Sequence, residues 1–165
     1  MKVKRTHPQP VVLMLVLRGF GAQREVLLGK KLTGFGAGNV VAPGGKIEPG
    51  ELASGAVVRE LKEETSLTVD VSHPVHRATI LFRFPARPAS DMDCQVFWAT
   101  SFKGEPVASG ELEPQWYPVN ALPVEDMWQD AEQWLPRIIA GEMFTATVLM
   151  APDNLGVQRM EIRHW

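Results

Sequence analysis

Between Glu51 and Thr65 the chain contains no proline and is dominated by Glu, Leu, Ala, Arg and Lys, a composition that predicts a helix. Ala53, Ala56, Val57, Glu60, Glu63 and Glu64 recur there at spacings of three and four, so they share one stripe of that helix. The stripe begins apolar and ends acidic. Extending a core-facing stripe with unpaired carboxylates is costly, because each loses its hydration on burial. The acidic end must therefore lie in solvent, as glutamate runs on helices commonly do, or beside a counter-charge. A hard divalent cation such as magnesium meets that need, since it takes oxygen ligands and is often shared between a few carboxylates and substrate phosphates.

The segments around this helix read as strands and turns. Val11 to Leu17 and Val26 to Lys30 are rich in branched aliphatics and are separated by the Gly-containing stretch Gly19 to Gln23, which predicts a hairpin. Gly34, Gly36 and Gly38 then punctuate a loop that runs through Asn39, Val40 and Val41 to Pro43-Gly44-Gly45. The paired glycines there suggest backbone positions closed to side chains, so this loop is expected to line a ligand site. Ala78 to Phe84 and Gln95 to Phe102 predict two more strands, joined by a polar loop with Pro88 and Asp91. Asp126 to Ala140 places Trp128, Ala131, Trp134, Leu135, Ile138 and Ile139 near helical spacing and predicts a second helix. Phe144 to Met150 and Gly156 to Ile162 close the chain as a hairpin around Pro152-Asp153-Asn154. The expected fold class is α/β, a mixed sheet covered by helices, with residues 1–165 forming one domain.

Composition narrows the function classes. A chain of 165 residues with 45% hydrophobic and 22% charged residues can bury a core. Its formal net charge of -2 provides no basic field for polymeric nucleic acid, so any nucleotide partner is expected to be small. Cys94 is the single cysteine, which excludes an internal disulfide and fits a reducing compartment, with cytoplasm the expected location. Lys2, Lys4 and Arg5 before an apolar run superficially suggest a secretory leader. That run is short, Arg18 follows it and no small-residue cleavage site is visible, so it reads as a strand. No stretch approaches the roughly 20 apolar residues of a membrane span.

Gly45, Glu51, Arg59-Glu60-Leu61, Glu63-Glu64 and Leu67 stand at the spacing of the Nudix box, GX5EX7REUXEEXGU. The one departure is Ser66, where the pattern has a glycine suited to a left-handed helix cap. The segment therefore resembles the Nudix hydrolase superfamily. The resemblance implies a mixed sheet sandwiched between helices (α/β/α). It also implies that Glu60, Glu63 and Glu64 bind magnesium, or manganese in its place, together with the Gly44 carbonyl. Arg59 would orient the carboxylates by ion pairing, Glu51 would support that network, and Glu64 is the first choice of general base, with Glu63 and Glu111 as alternatives.

Beyond the box, from about Val26 to Trp165, the chain resembles the animal MutT-homologue family, which hydrolyses oxidised purine nucleoside triphosphates. Leu27-Leu28-Gly29 followed by Gly34-Phe35-Gly36-Ala37-Gly38 resembles that family's loop, in which Phe35 and Lys31 would border the nucleotide. Asp126-Met127-Trp128 with Asp130 and Trp134 resembles its second helix, where Trp128 would stack on the base and Asp130 read its edge. Ser109-Gly110-Glu111 resembles a loop that adds Glu111 to the metal site. Phe82, Phe84 and Met92 match pocket-lining positions. Core packing is the ordinary role of such aromatic and methionine side chains. Val41 and Ala131 depart from the family, standing where an Asn and a second Asp would read the base.

The resemblance implies magnesium-dependent hydrolysis of a purine nucleoside triphosphate to monophosphate and pyrophosphate, by a monomer or homodimer that sanitises the nucleotide pool. The alternatives are a Nudix hydrolase of another nucleoside diphosphate derivative, such as a dinucleoside polyphosphate, ADP-ribose or a modified pyrimidine nucleotide, and a nucleotide-sensing module without catalysis.

Overall fold

Along Gln9–Arg18 (β1) successive side chains point to opposite faces, and this alternation sorts the apolar residues into two cores. Val12, Met14 and Val16 enter one, and Leu15 and Leu17 the other. The computed structural model describes residues 8–165, so Lys2, Lys4 and Arg5 lie outside the described residues. β1 pairs antiparallel with Glu25–Lys31 (β2), Leu17 opposite Val26, and the expected opening hairpin forms.

The other strands are Val40–Val41 (β3), Gly44–Lys46 (β4), Val75–Arg83 (β5), Met92–Ala99 (β6), Leu112–Pro118 (β7), Phe144–Met150 (β8) and Val157–His164 (β9). Their order across the sheet is β3-β2-β1-β6-β5-β8-β9, with β4 attached to β1 and β7 to β2. β1 with β6 and β5 with β8 are parallel pairs, whereas the hairpins β1–β2, β5–β6 and β8–β9 are antiparallel, so the sheet is mixed.

Helices cover both faces. Ala53–Thr65 (α1) buries Ala56, Val57 and Leu61 against Val12, Met14, Val16 and Leu27. Ala131–Ile139 (α2) buries Trp134, Leu135 and Ile138 on the other face, in the core with Leu15, Leu28, Ile80 and Val96. Burying each such aliphatic side chain is worth roughly 1.5–3 kcal/mol. This is the expected sandwich of sheet between helices. No helix among the described residues is long and apolar enough to cross a membrane.

Several boundaries differ from expectation, each for a local reason. α1 begins at Ala53 rather than Glu51, because Leu52 is extended and Glu51 is turned back onto the Glu48 N–H. The second helix begins at Ala131 rather than Asp126. Val124–Asp126 form a single 3-10 turn and Met127 is extended, which leaves Trp128 in the turn ahead of α2. β6 starts three residues before the expected Gln95 and ends at Ala99. β7 was not expected; Pro114 lies within it and Pro118 ends it. Its pairing with β2 alone places it at a sheet edge, where proline is tolerated.

Candidate active site

β4 crosses β1 closely, with Gly44 opposite Leu13 and Gly45 opposite Val12. A Cβ on Gly44 would collide with the Val12 carbonyl oxygen, and one on Gly45 would stand 2.5 Å from the Glu60 carboxylate. The paired glycines thus let a strand lie between β1 and the acidic end of α1, and both positions are closed to side chains, as the sequence suggested. From there the Gly44 N–H donates to Glu64 Oε1 at 3.1 Å.

Arg59 organises the neighbouring carboxylates. Its Nε and one amino group donate to the two oxygens of Glu51 at 2.8 and 2.9 Å, the other amino group donates to Glu60 Oε1 at 3.1 Å, and the Lys46 carbonyl accepts a further bond at 3.2 Å. The fork of the guanidinium suits such bidentate pairing. The Arg59 hydrogen bonds, with the Glu48 N–H adding to them, hold the Glu51 carboxyl down at about 2, while Glu51 raises Arg59 above its ordinary value.

Glu60, Glu64 and Glu111 each bring an oxygen within 4.8 Å of the others. Glu64 is only 7% exposed, and burial pushes its carboxyl up to about 8; the Gly44 N–H opposes this, and the charges of Glu60 and Glu111 reinforce it. Burial also raises Glu60, against the pull of Arg59. Three crowded carboxylates, one of them almost out of water, form an all-oxygen donor set that a hard cation such as magnesium fits. Glu63 is not brought into this group. Its side chain is 56% exposed and its carboxylate lies 3.4 Å from Arg59.

A cavity of about 690 Å³ is lined by Glu60, Glu64 and Glu111 and also by Asp130, a volume suited to a nucleotide-sized ligand. Lys31, Phe35, Val41, Phe82, Phe84, Met92, Trp128 and Asp130 all line it, so the structure brings together every residue expected to border a nucleotide. Asp130 is 3% exposed; burial raises its carboxyl, opposed by the Trp134 indole N–H, which donates to Oδ2 at 2.7 Å. Trp128 stacks on Phe35 with ring centroids 5.4 Å apart and planes 23° from parallel. Gly36 permits that approach: it has φ of +80°, and a Cβ there would meet Trp128 at 2.8 Å. Lys31 Nζ donates to the Phe35 carbonyl at 2.7 Å, holding the loop in place. Val41 and the buried Ala131 present apolar wall where the expected amide and second carboxylate are missing. A smaller cavity of about 260 Å³ beside Arg18, Phe20 and Arg24 contains no carboxylate in its wall.

The NUDIX domain model matches residues 7–138, which is most of the chain and includes every side chain of this cavity but Met150. The chain belongs to the Nudix family.

Among its relatives, the oxidized purine nucleoside triphosphate hydrolase of Danio rerio is 40% identical over 120 residues, 73% of this chain and 75% of the relative. The protein of the same description from Mus musculus is 39% identical over 132 residues, 80% of each. A solved MutT protein from Bacillus halodurans superposes with a TM-score of 0.76 at 25% identity, covering 93% of this chain and 97% of that one. A member of the Nudix family whose relatives are named triphosphate hydrolases, the chain is a pyrophosphohydrolase, and its acidic cluster could bind a divalent metal.

Two features of this Nudix cavity are missed by sequence reasoning. Trp134 reads as a core residue, yet its indole also secures Asp130; the four-residue separation of the pair was the available signal. Cys94, 1% exposed, reaches the cavity wall, where burial pushes its thiol up and Asp130 adds to the effect. Only the strand register reveals that placement.

Proposed function

We propose that the chain is a magnesium-dependent diphosphatase of oxidised purine nucleoside triphosphates such as 8-oxo-dGTP, releasing a nucleoside monophosphate and pyrophosphate. The observation that carries this reading is the continuity of one cavity between the Glu60, Glu64 and Glu111 cluster and the aromatic, Asp130-ended pocket. The activity named for the vertebrate relatives supports the same substrate class. Residues 1–165 are read as one domain acting on the cytoplasmic nucleotide pool.

Glu60, Glu64, Glu111 and the Gly44 carbonyl would hold magnesium, with manganese suited to the same oxygen set. Bound there, the ion supplies charge neutralisation at the phosphate oxygens and a lowered pKa for the attacking water. Glu64 would be the general base that accepts a proton from the attacking water. Glu51 anchors Arg59, which in turn fixes the Glu60 carboxylate. Glu63 supports Arg59, and a ligand role would require it to turn away from that partner. At the other end Trp128 offers a face to the base and Asp130 hydrogen-bonds its edge. Phe35, Val41, Phe82, Phe84 and Met92 exclude water around it, and Lys31 adds a cation beside the nucleotide.

The apolar wall formed by Val41 and Ala131 favours a second reading, in which the substrate is another nucleoside diphosphate derivative. A pocket that lacks pairing groups discriminates weakly between bases. The test is initial rates with magnesium on 8-oxo-dGTP, 2-hydroxy-dATP, dGTP, dATP, dCTP, ADP-ribose and diadenosine tetraphosphate, with products identified. Preference for an oxidised purine with pyrophosphate released is the expected result. Preference for a different substrate establishes the second reading, and no turnover of any substrate leaves a sensing module.

A further inference from the structure

Within the acidic cluster Glu111 is held differently from its partners. Glu60 and Glu64 extend from α1, whose backbone bonds fix their origin, whereas Glu111 is an exposed residue in the connection between β6 and β7. To stay within 4.8 Å of two carboxylates that repel it, a loop acid needs a rigid backbone. Neighbouring Gly110 supplies none by packing, since a Cβ there would meet nothing within 4 Å.

Hydrogen bonds from Ser109 supply it. The Ser109 Oγ accepts the N–H of Glu111 at 3.3 Å and that of Leu112 at 3.1 Å, while the Ser109 N–H donates to the Leu112 carbonyl at 2.9 Å. A serine that bonds the backbone two and three residues ahead closes a turn by itself. On the far side of that turn, the Leu32 N–H donates to the Glu111 carbonyl at 2.9 Å, which ties the loop to the end of β2.

We infer that Ser109 is a positioning residue for the metal site: its hydroxyl, through the N–H groups of Glu111 and Leu112, sets the turn that presents the Glu111 carboxylate to Glu60 and Glu64. The inference rests on the metal role proposed above for Glu111. It places a side chain outside the cavity lining in control of the third carboxylate of the cluster.

Mn2+ binding to the full chain, followed by the electron paramagnetic resonance signal of free Mn2+ without nucleotide, tests it. Ser109→Ala is expected to weaken Mn2+ about 10-fold, the low end for an outer-shell partner. Ser109→Thr keeps the hydroxyl and is expected to restore binding, a rescue that a general loss of packing would not show. In the background of Glu111→Gln, Ser109→Ala is expected to have no further effect. If Ser109→Ala binds Mn2+ within about twofold of the natural chain while Glu111→Gln is weakened, the positioning role is overturned and the role of Glu111 stands. If Glu111→Gln itself binds normally, both fall.

Discussion

Replacing Glu64 by Gln is expected to abolish turnover and, in the metal-free protein, to increase stability. Glu64 is 7% exposed, and burial raises its carboxyl from an ordinary 4.5 to about 8. The sign follows from proton counting. Between these two values the native state keeps a proton that the unfolded chain releases, so stability falls as pH rises, by about 1.4 kcal/mol per pH unit. Below 4.5 both states are protonated and nothing is lost; above 8 the whole cost is present. The full window amounts to about 5 kcal/mol, and water entering through the open cavity brings the expected loss to about 3 kcal/mol. The substituted amide is isosteric with the carboxyl, can still accept the Gly44 N–H, and cannot ionise. Glu60 and Asp130, also raised by burial, remain in both proteins, so the difference between them reads Glu64 together with its coupling to Glu60. Urea unfolding in a chelator at pH 5, 7 and 9 reads that difference. The two proteins should be similar at pH 5 and Glu64→Gln the more stable at pH 9, with magnesium narrowing the gap by stabilising the natural chain more than the variant. Parallel stabilities across this range would refute the claim that Glu64 is a desolvated carboxylate held in place for a cation.

Gly45→Ala separates metal binding from folding: its Cβ would press on the Glu60 carboxylate, a mobile group at the end of a side chain. We expect a stability change below about 1 kcal/mol by thermal unfolding together with at least about a 10-fold loss of Mn2+ affinity, and unchanged affinity would show that Glu60 does not need that position. Ser66 ends α1 in the left-handed region with φ of 68° and its N–H bonded to the Lys62 carbonyl. Ser66→Gly should relieve that conformation and gain about 1 kcal/mol, or about 3 °C in Tm, with kcat unchanged; a lower Tm would show that the serine is not strained there.

The acidic stripe of α1 was legible in the sequence because helical periodicity is a local property, determined by residue type and spacing within a few turns. The Gly44-Gly45 pair was legible because steric demands on a backbone act within a residue or two, and the left-handed end at Ser66 followed from the Nudix pattern, which has a glycine there. The ends of the second helix and the edge strand β7 were not. Pro114 and Pro118 argue locally against a strand, and pairing with the whole of β2 overrules them. Trp128, whose spacing placed it on a helix, sits ahead of α2 and stacks on Phe35 beside Gly36, a contact between segments that local spacing does not encode.

By itself the sequence determined the family, the carboxylates available for a metal and the sandwich of sheet between helices, since each is encoded in patterns that short segments carry independently. Glu111 was expected in the metal site only from the family resemblance, and the tertiary structure decided which of those carboxylates meet. It brought Glu111 from a distant loop to Glu60 and Glu64, left Glu63 outside with Arg59, and joined the acidic cluster to Asp130 through one cavity. Those outcomes depend on strand order and register, where contacts between remote segments outweigh the preferences of any one of them.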